Sequence, residues 1–111
     1  WREWWVLRFY APALERDLGF QAKVGRHPMI DADILFIRSI QSGGVFDRLG
    51  IKPGWIPVTE HRGALEFYGL LQANRGRSVE LEFTETFGNA LHEGGSYTRK
   101  IRIFVPEQRP N

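Results

Sequence analysis

The sequence predicts an α+β fold, rich in β-structure, with five to six strands, one short helix and one long helix. Three observations carry this reading. Val79, Leu81 and Phe83 alternate with Glu80, Glu82 and Thr84, and Ile101, Ile103 and Val105 alternate with Lys100, Arg102 and Phe104. That two-residue period is the mark of half-buried strands. The run Ile34–Ile40 is β-branched and aromatic and reads as a buried strand. Between Leu65 and Asn74, the residues Phe67, Leu70, Leu71 and Asn74 follow the spacing of an amphipathic helix, with Gly76 placed to end it.

The elements follow in order. Residues 4–10 alternate in part, with Trp5, Leu7 and Phe9 on one face, and read as a first strand. Residues 11–17, with Pro12 and the charged Glu15, Arg16 and Asp17, read as a turn. Phe20–Val24 is a second strand, broken from Gly25 to Pro28. After the strand at 34–40, Ser42-Gly43-Gly44 opens a short helix over Val45–Leu49, and Gly50 stops it. Pro53-Gly54 has the order a type II turn requires. Trp55–Thr59 is a short strand in which Pro57 argues for an edge or a bulge. The two alternating strands near the C-terminus carry acids outward on one and bases on the other. Antiparallel pairing sets them side by side, worth about 0.2–1 kcal/mol per pair. Their connection, across Thr86–Tyr97, contains Gly94-Gly95-Ser96 and is expected to be loose.

Composition bounds the function. The 111 residues fit one domain, spanning 1–111, and 42% hydrophobic content supplies a core. With no cysteine, disulfides and thiolate metal sites are excluded. A net charge of +2, without a basic run interleaved with aromatics, argues against nucleic-acid binding. The sequence has no apolar stretch of bilayer length, no initiating methionine and no signal peptide, and reads as a piece of a longer protein. The cluster Trp1-Arg2-Glu3-Trp4-Trp5 has two readings. It is either part of a first strand packed on the core, or an interfacial flank that brings a membrane-attached or extracytoplasmic parent close to a bilayer.

Catalytic signals are weak. His27, His61 and His92 lack metal-ligand spacing and read as loop histidines in solvent. Ser39, Ser42, Ser78 and Ser96 stand in no nucleophile-elbow pattern. Glu80, Glu82 and Glu85 fall on an outer sheet face opposite bases. No catalytic residue, metal or cofactor is expected.

Asp17-Leu18-Gly19-Phe20 is the most suggestive segment. A glycine between apolar residues permits a turn whose successive N–H groups face an anion. Together with Gly44-Val45-Phe46-Asp47-Arg48-Leu49-Gly50-Ile51-Lys52-Pro53-Gly54, the pair Leu70-Leu71 followed by Gly76, and Val79-Glu80-Leu81, it resembles a PDZ domain over about residues 4–85. The strand near 98–105 lies outside that resemblance as an addition at the C-terminus. The resemblance implies a partly open β-barrel or sandwich. It also implies a non-catalytic interaction module that binds a peptide or a protein's C-terminal tail.

In that arrangement the N–H groups of Leu18, Gly19 and Phe20 hold a terminal carboxylate, with Arg16 assisting. The peptide adds as a strand beside Phe20, Gln21, Ala22 and Lys23, against the long helix. Leu18 and Phe20, with Leu71 or Gln72, shape the pocket for the last side chain, and Ala64 or Leu65, with Tyr68, faces the third from last. Three departures stand out. Asp17 replaces a small residue and opposes a carboxylate unless it points away or pairs with Arg16. Trp55 replaces an aspartate, and Thr59-Glu60-His61-Arg62-Gly63 replaces an Asn-Gly turn. An apolar residue at the helix start implies an apolar ligand preference rather than a hydroxyl-selective one. An alternative implied role is a regulatory or docking domain of a membrane-attached protease or secretion component, with its groove occupied in cis.

Overall fold

The computed structural model describes residues 8–27, 33–59, 63–85 and 98–108. In chain order the elements are α1 (Ala11–Leu18), β1 (Phe20–Arg26), β2 (Asp33–Ile40), α2 (Val45–Arg48), β3 (Ile56–Pro57), α3 (Ala64–Ala73), β4 (Arg77–Thr84) and β5 (Thr98–Val105). The class is α+β, as expected. The described strands number five and form two antiparallel sheets, β1-β2 and β3-β4-β5, rather than a closed barrel. The sheets meet where the Ile37 N–H donates to the Trp55 carbonyl at 2.8 Å and the Gly54 N–H donates to the Ile37 carbonyl at 2.6 Å.

The N-terminal region departs from expectation. Residues 8–9 are helical where a strand was expected, and the remainder of that strand, with the tryptophan cluster, lies outside the described residues. The expected turn at 11–17 is helix α1. Pro12 lies in its first turn, where no intrahelical N–H bond is lost. Ala11, Leu14 and Leu18 recur at helical spacing and are all buried. That buried stripe, not the turn-forming composition, decides the segment.

The rest follows the sequence pattern more closely. β1 runs through Gly25 to Arg26, two residues beyond its expected end. The Lys52 carbonyl accepts the Trp55 N–H at 3.3 Å across the Pro53-Gly54 turn, and Gly54 holds the positive φ of 94° that this turn demands. β3 is short, with Pro57 on the sheet-edge strand. In α3 the buried residues are Phe67, Tyr68 and Leu71, while Leu70, expected on the core face, is exposed. β4 and β5 pair antiparallel with acids beside bases, as expected, and the register places Val79 opposite Ile103, Leu81 opposite Ile101, Glu80 opposite Arg102 and Glu82 opposite Lys100. The loop joining them lies outside the described residues.

Aromatic rings fill the space between the sheets and helices. Phe20 stacks on Phe46 with centroids 4.4 Å apart, and Phe83 meets Phe46, Phe67 and Trp55. Burying one such side chain is worth about 1.5–3 kcal/mol. His27 is also buried, contrary to the solvent-exposed loop position expected of it, and its Nε2 lies 2.8 Å from the Gly54 carbonyl. His61 and His92 lie outside the described residues.

Candidate functional site

The expected carboxylate-binding turn is the C-terminal end of a helix. Leu18 is the last residue of α1, and Gly19 caps it in the left-handed conformation with φ of 72°. The Gly19 N–H donates to the Glu15 carbonyl at 2.8 Å, closing the helix instead of facing outward. A helix C-terminus also carries the negative end of the helix dipole, which disfavours an incoming carboxylate. The cradle of three outward N–H groups at Leu18, Gly19 and Phe20 is therefore corrected to a helix cap. A second reason for glycine here is space. A Cβ at Gly19 would come 3.0 Å from the Gly44 Cα.

Asp17 resolves its charge in a way the sequence did not suggest. It touches the exposed Arg16 at 3.4 Å, but its closer partner is Arg75, whose Nη1 lies 2.7 Å from its Oδ2. Arg75 also donates to the Pro106 carbonyl at 3.0 Å and to Gln72 Oε1 at 3.4 Å. The buried guanidinium thus ties the end of α1 to the end of α3 and to the chain leaving β5. Only proximity in the fold reveals Arg75, since it stands far from Asp17 in sequence.

The remaining predicted residues do not gather into one site. Phe20, Ala22 and Tyr68 come together. The Phe20 and Tyr68 rings are 6.0 Å apart, and the Ala22 N–H faces the Glu15 carboxylate and the Tyr68 hydroxyl. Burial pushes the Glu15 carboxyl above its ordinary value, and the Ala22 N–H pulls the other way. Burial, and then the neighbouring Glu15 charge, raise the Tyr68 phenol. Glu15 was read from sequence as a turn residue, so this role went unseen.

Arg16, Phe20 and Gln21 line an open groove of about 470 Å³ together with Pro12, Glu15 and the chain at Ser39–Gln41. Gln21 accepts a hydrogen bond from Ser39 at 3.3 Å. Leu18 and Leu71 are fully buried in the core and cannot shape an open pocket. Gln72 bonds Gln108 at 3.3 Å, at the far end of α3. Ala64 and Leu65, at the start of α3, are half-buried, and Lys23 is exposed on β1.

β1 is an edge strand, hydrogen-bonded to β2 alone among the described strands. The Ala22 N–H points away from β2, toward Glu15 and Tyr68. Alternation along a strand turns the Val24 backbone the same way. Val24 is 63% exposed.

Among the described residues, no cluster of three His, Asp or Glu side chains is arranged to hold a metal ion. Also among them, no helix is long and apolar enough to cross a membrane. Comparison of the chain with protein-family models, with curated proteins and with solved structures finds no match.

Proposed function

We propose that this domain is a non-catalytic protein-interaction module that takes an extended peptide as an added strand along the outer edge of β1, beside α3. The observation that carries this reading is the free edge of β1, which pairs with β2 alone among the described strands and turns the Ala22 N–H toward a side-chain carboxylate and a phenol instead of a neighbouring strand. An incoming peptide carbonyl offers the same acceptor chemistry. The exposed Val24 continues the edge, and strand addition to such edges is a general mode of peptide capture.

The PDZ-like detail belongs to this proposal. It is supported by the order of elements from β1 onward: a hairpin, a short helix, a Pro-Gly turn, an edge strand, a long helix and a strand. Helix α1, standing where a loop was expected, changes the mode. With the Gly19 N–H held by Glu15, the domain recognises an internal segment with apolar side chains and does not require a free carboxyl end.

Peptides selected by display against the whole chain provide the test, with affinity followed by fluorescence anisotropy. Free-acid and amidated forms should bind equally, in the micromolar range usual for short peptides that must be ordered on binding. Val24→Pro should fold, because an edge strand tolerates a missing outward N–H, and should lose binding. Unimpaired binding by Val24→Pro would remove strand addition from consideration. A ligand that binds only as the free acid would restore terminal capture.

A second reading is favoured by the burial of Leu14 and Leu18 beside Glu15. In it, α1 fills the loop end of the groove in cis, and the domain serves as a regulatory or docking part of a larger, membrane-attached protease or secretion component. Under this reading the native chain selects no peptides, whereas Glu15→Ala does.

A further inference from the structure

We propose that a second docking surface, separate from the β1 edge, lies between α2 and the solvent face of the β4–β5 pair and accepts an acidic protein segment with an apolar anchor. Inward-facing Ile103 and Val105 are fully buried, so the residue between them, Phe104, is turned to solvent, where it is 58% exposed. Leu49, just past the end of α2, is 37% exposed. These two line an open groove of about 620 Å³ with Val45, Arg48, Arg102 and Pro106. Exposed apolar groups gathered in a concavity mark an interaction site more often than the same groups scattered singly.

Charge chooses the partner. Arg48 and Arg102 are both exposed, and neither forms an ion pair with a described residue. Glu80 stands opposite Arg102 in the strand register, yet the two do not close a salt bridge. Asp47, beside Arg48, is turned back into its own loop, where its Oδ2 accepts the Gly43 N–H at 2.9 Å. Two uncommitted guanidinium groups therefore flank an apolar floor. Guanidinium forks match carboxylates in a bidentate fashion, and arginine with an aromatic residue is the composition of interface hot spots.

A protein segment fits better than a lipid surface or a nucleic acid. An anionic membrane is met by clusters of about 4–8 basic residues on a projecting face, whereas this site is concave and has two. Nucleic-acid binding calls for a broader basic stripe than a chain of net charge +2 provides.

The test uses isotopically labelled whole chain and two synthetic twelve-residue peptides, one alternating glutamate with leucine and phenylalanine, the other its lysine counterpart. The acidic peptide should shift the amides of Val45, Arg48, Leu49, Arg102 and Phe104. The lysine peptide should not. The double variant Arg48→Glu, Arg102→Glu changes exposed positions, so its urea midpoint should match the parent. It should weaken the acidic peptide at least ~10-fold, about 1.4 kcal/mol. Phe104→Ser should weaken it as well. The proposal is overturned if the acidic peptide produces no shifts at about 1 mM, if the shifts map to β1 instead, or if the double variant binds unchanged. It is also overturned if anionic phospholipid vesicles or single-stranded oligonucleotides, and not the acidic peptide, shift these amides.

Discussion

Asp17 and Arg75 form a largely buried ion pair, Oδ2 to Nη1 at 2.7 Å, across 58 residues of sequence. Their side chains are 18% and 10% exposed. Removing one partner of a fully buried pair costs about 3–5 kcal/mol, because the other charge is left without compensation. The partial exposure here lowers that expectation. Asp17→Asn should destabilise the domain by about 2–3 kcal/mol, read from urea unfolding. Because Arg75 Nη2 is buried without a partner, replacing the whole pair should be milder than breaking it. Asp17→Asn combined with Arg75→Met should therefore cost less than the two single changes added together. Strict additivity would show that the pair is not coupled.

Gly19 and Gly44 approach backbone to backbone. Gly19→Ala places a Cβ 3.0 Å from the Gly44 Cα on a residue whose φ is 72°. The left-handed conformation alone costs about 1–2 kcal/mol, and the contact adds to it. Gly44→Ala separates the two effects. Gly44 has an ordinary φ of −76°, but its Cβ would meet the Gly19 Cα at 3.1 Å and the Gln41 carbonyl at 3.2 Å. It should destabilise by about 1–3 kcal/mol through crowding alone. A neutral Gly44→Ala would mean that the two segments can move apart without penalty. Since Gly19 shapes a helix cap, its substitution should lower stability before it touches any peptide contact.

What the chain revealed in advance depended on period and on local turn chemistry. The β4–β5 register was legible because Val79, Leu81, Ile101 and Ile103 leave one buried face, and a one-residue slip would invert every side chain. The Pro53-Gly54 turn and α3 were legible for similar local reasons. Helix α1 was not, because Pro12 and three charged residues resemble a turn, while the stripe of Ala11, Leu14 and Leu18 acquires its meaning from the core it faces. The site suffered the same loss. Leu18-Gly19-Phe20 looks alike as a loop or as the end of a helix. Only the core that buries Ala11, Leu14 and Leu18, and the Gly19 N–H closing on the Glu15 carbonyl, tell the two apart.

Glu15 makes stability depend on pH in a definite direction. Its carboxyl is raised from 4.5 in the folded chain, with burial as the largest cause. The folded state then binds more protons than the unfolded state between 4.5 and the raised value, so stability falls as pH climbs through that window. Glu15→Gln removes this titration. The difference in urea midpoint between the variant and the parent should shift in the variant's favour as pH rises from 4 toward neutrality. A difference that stays constant with pH would mean that Glu15 is solvated equally in both states. If the cis-occupied reading is right, the same variant also loosens the acceptor held at Ala22, and amide exchange at Ala22 should quicken.

His27 anchors the far end of β1. Its Nε2 lies 2.8 Å from the Gly54 carbonyl, and its ring meets Phe36 edge to face with centroids 4.9 Å apart. The bond joins the end of β1 to the Pro53-Gly54 turn, which itself bonds to Ile37 of β2. A net hydrogen bond contributes about 0.5–1.5 kcal/mol, and the lost ring packing adds to that, so His27→Ala should cost about 2 kcal/mol in all. The effect should be uneven along the chain. Amides of Val24, Gly25 and Arg26 should exchange faster, while those of β4 and β5, in the other sheet, keep the parent's protection relative to global unfolding. Because the proposed peptide edge runs along this half of β1, affinity should fall with the loss of local order even where the domain remains folded. His27→Gln can still donate toward the Gly54 carbonyl, and should recover part of the protection without the ring. Uniform loss of protection in both sheets would show that His27 supports the whole core rather than the strand edge on which binding is proposed.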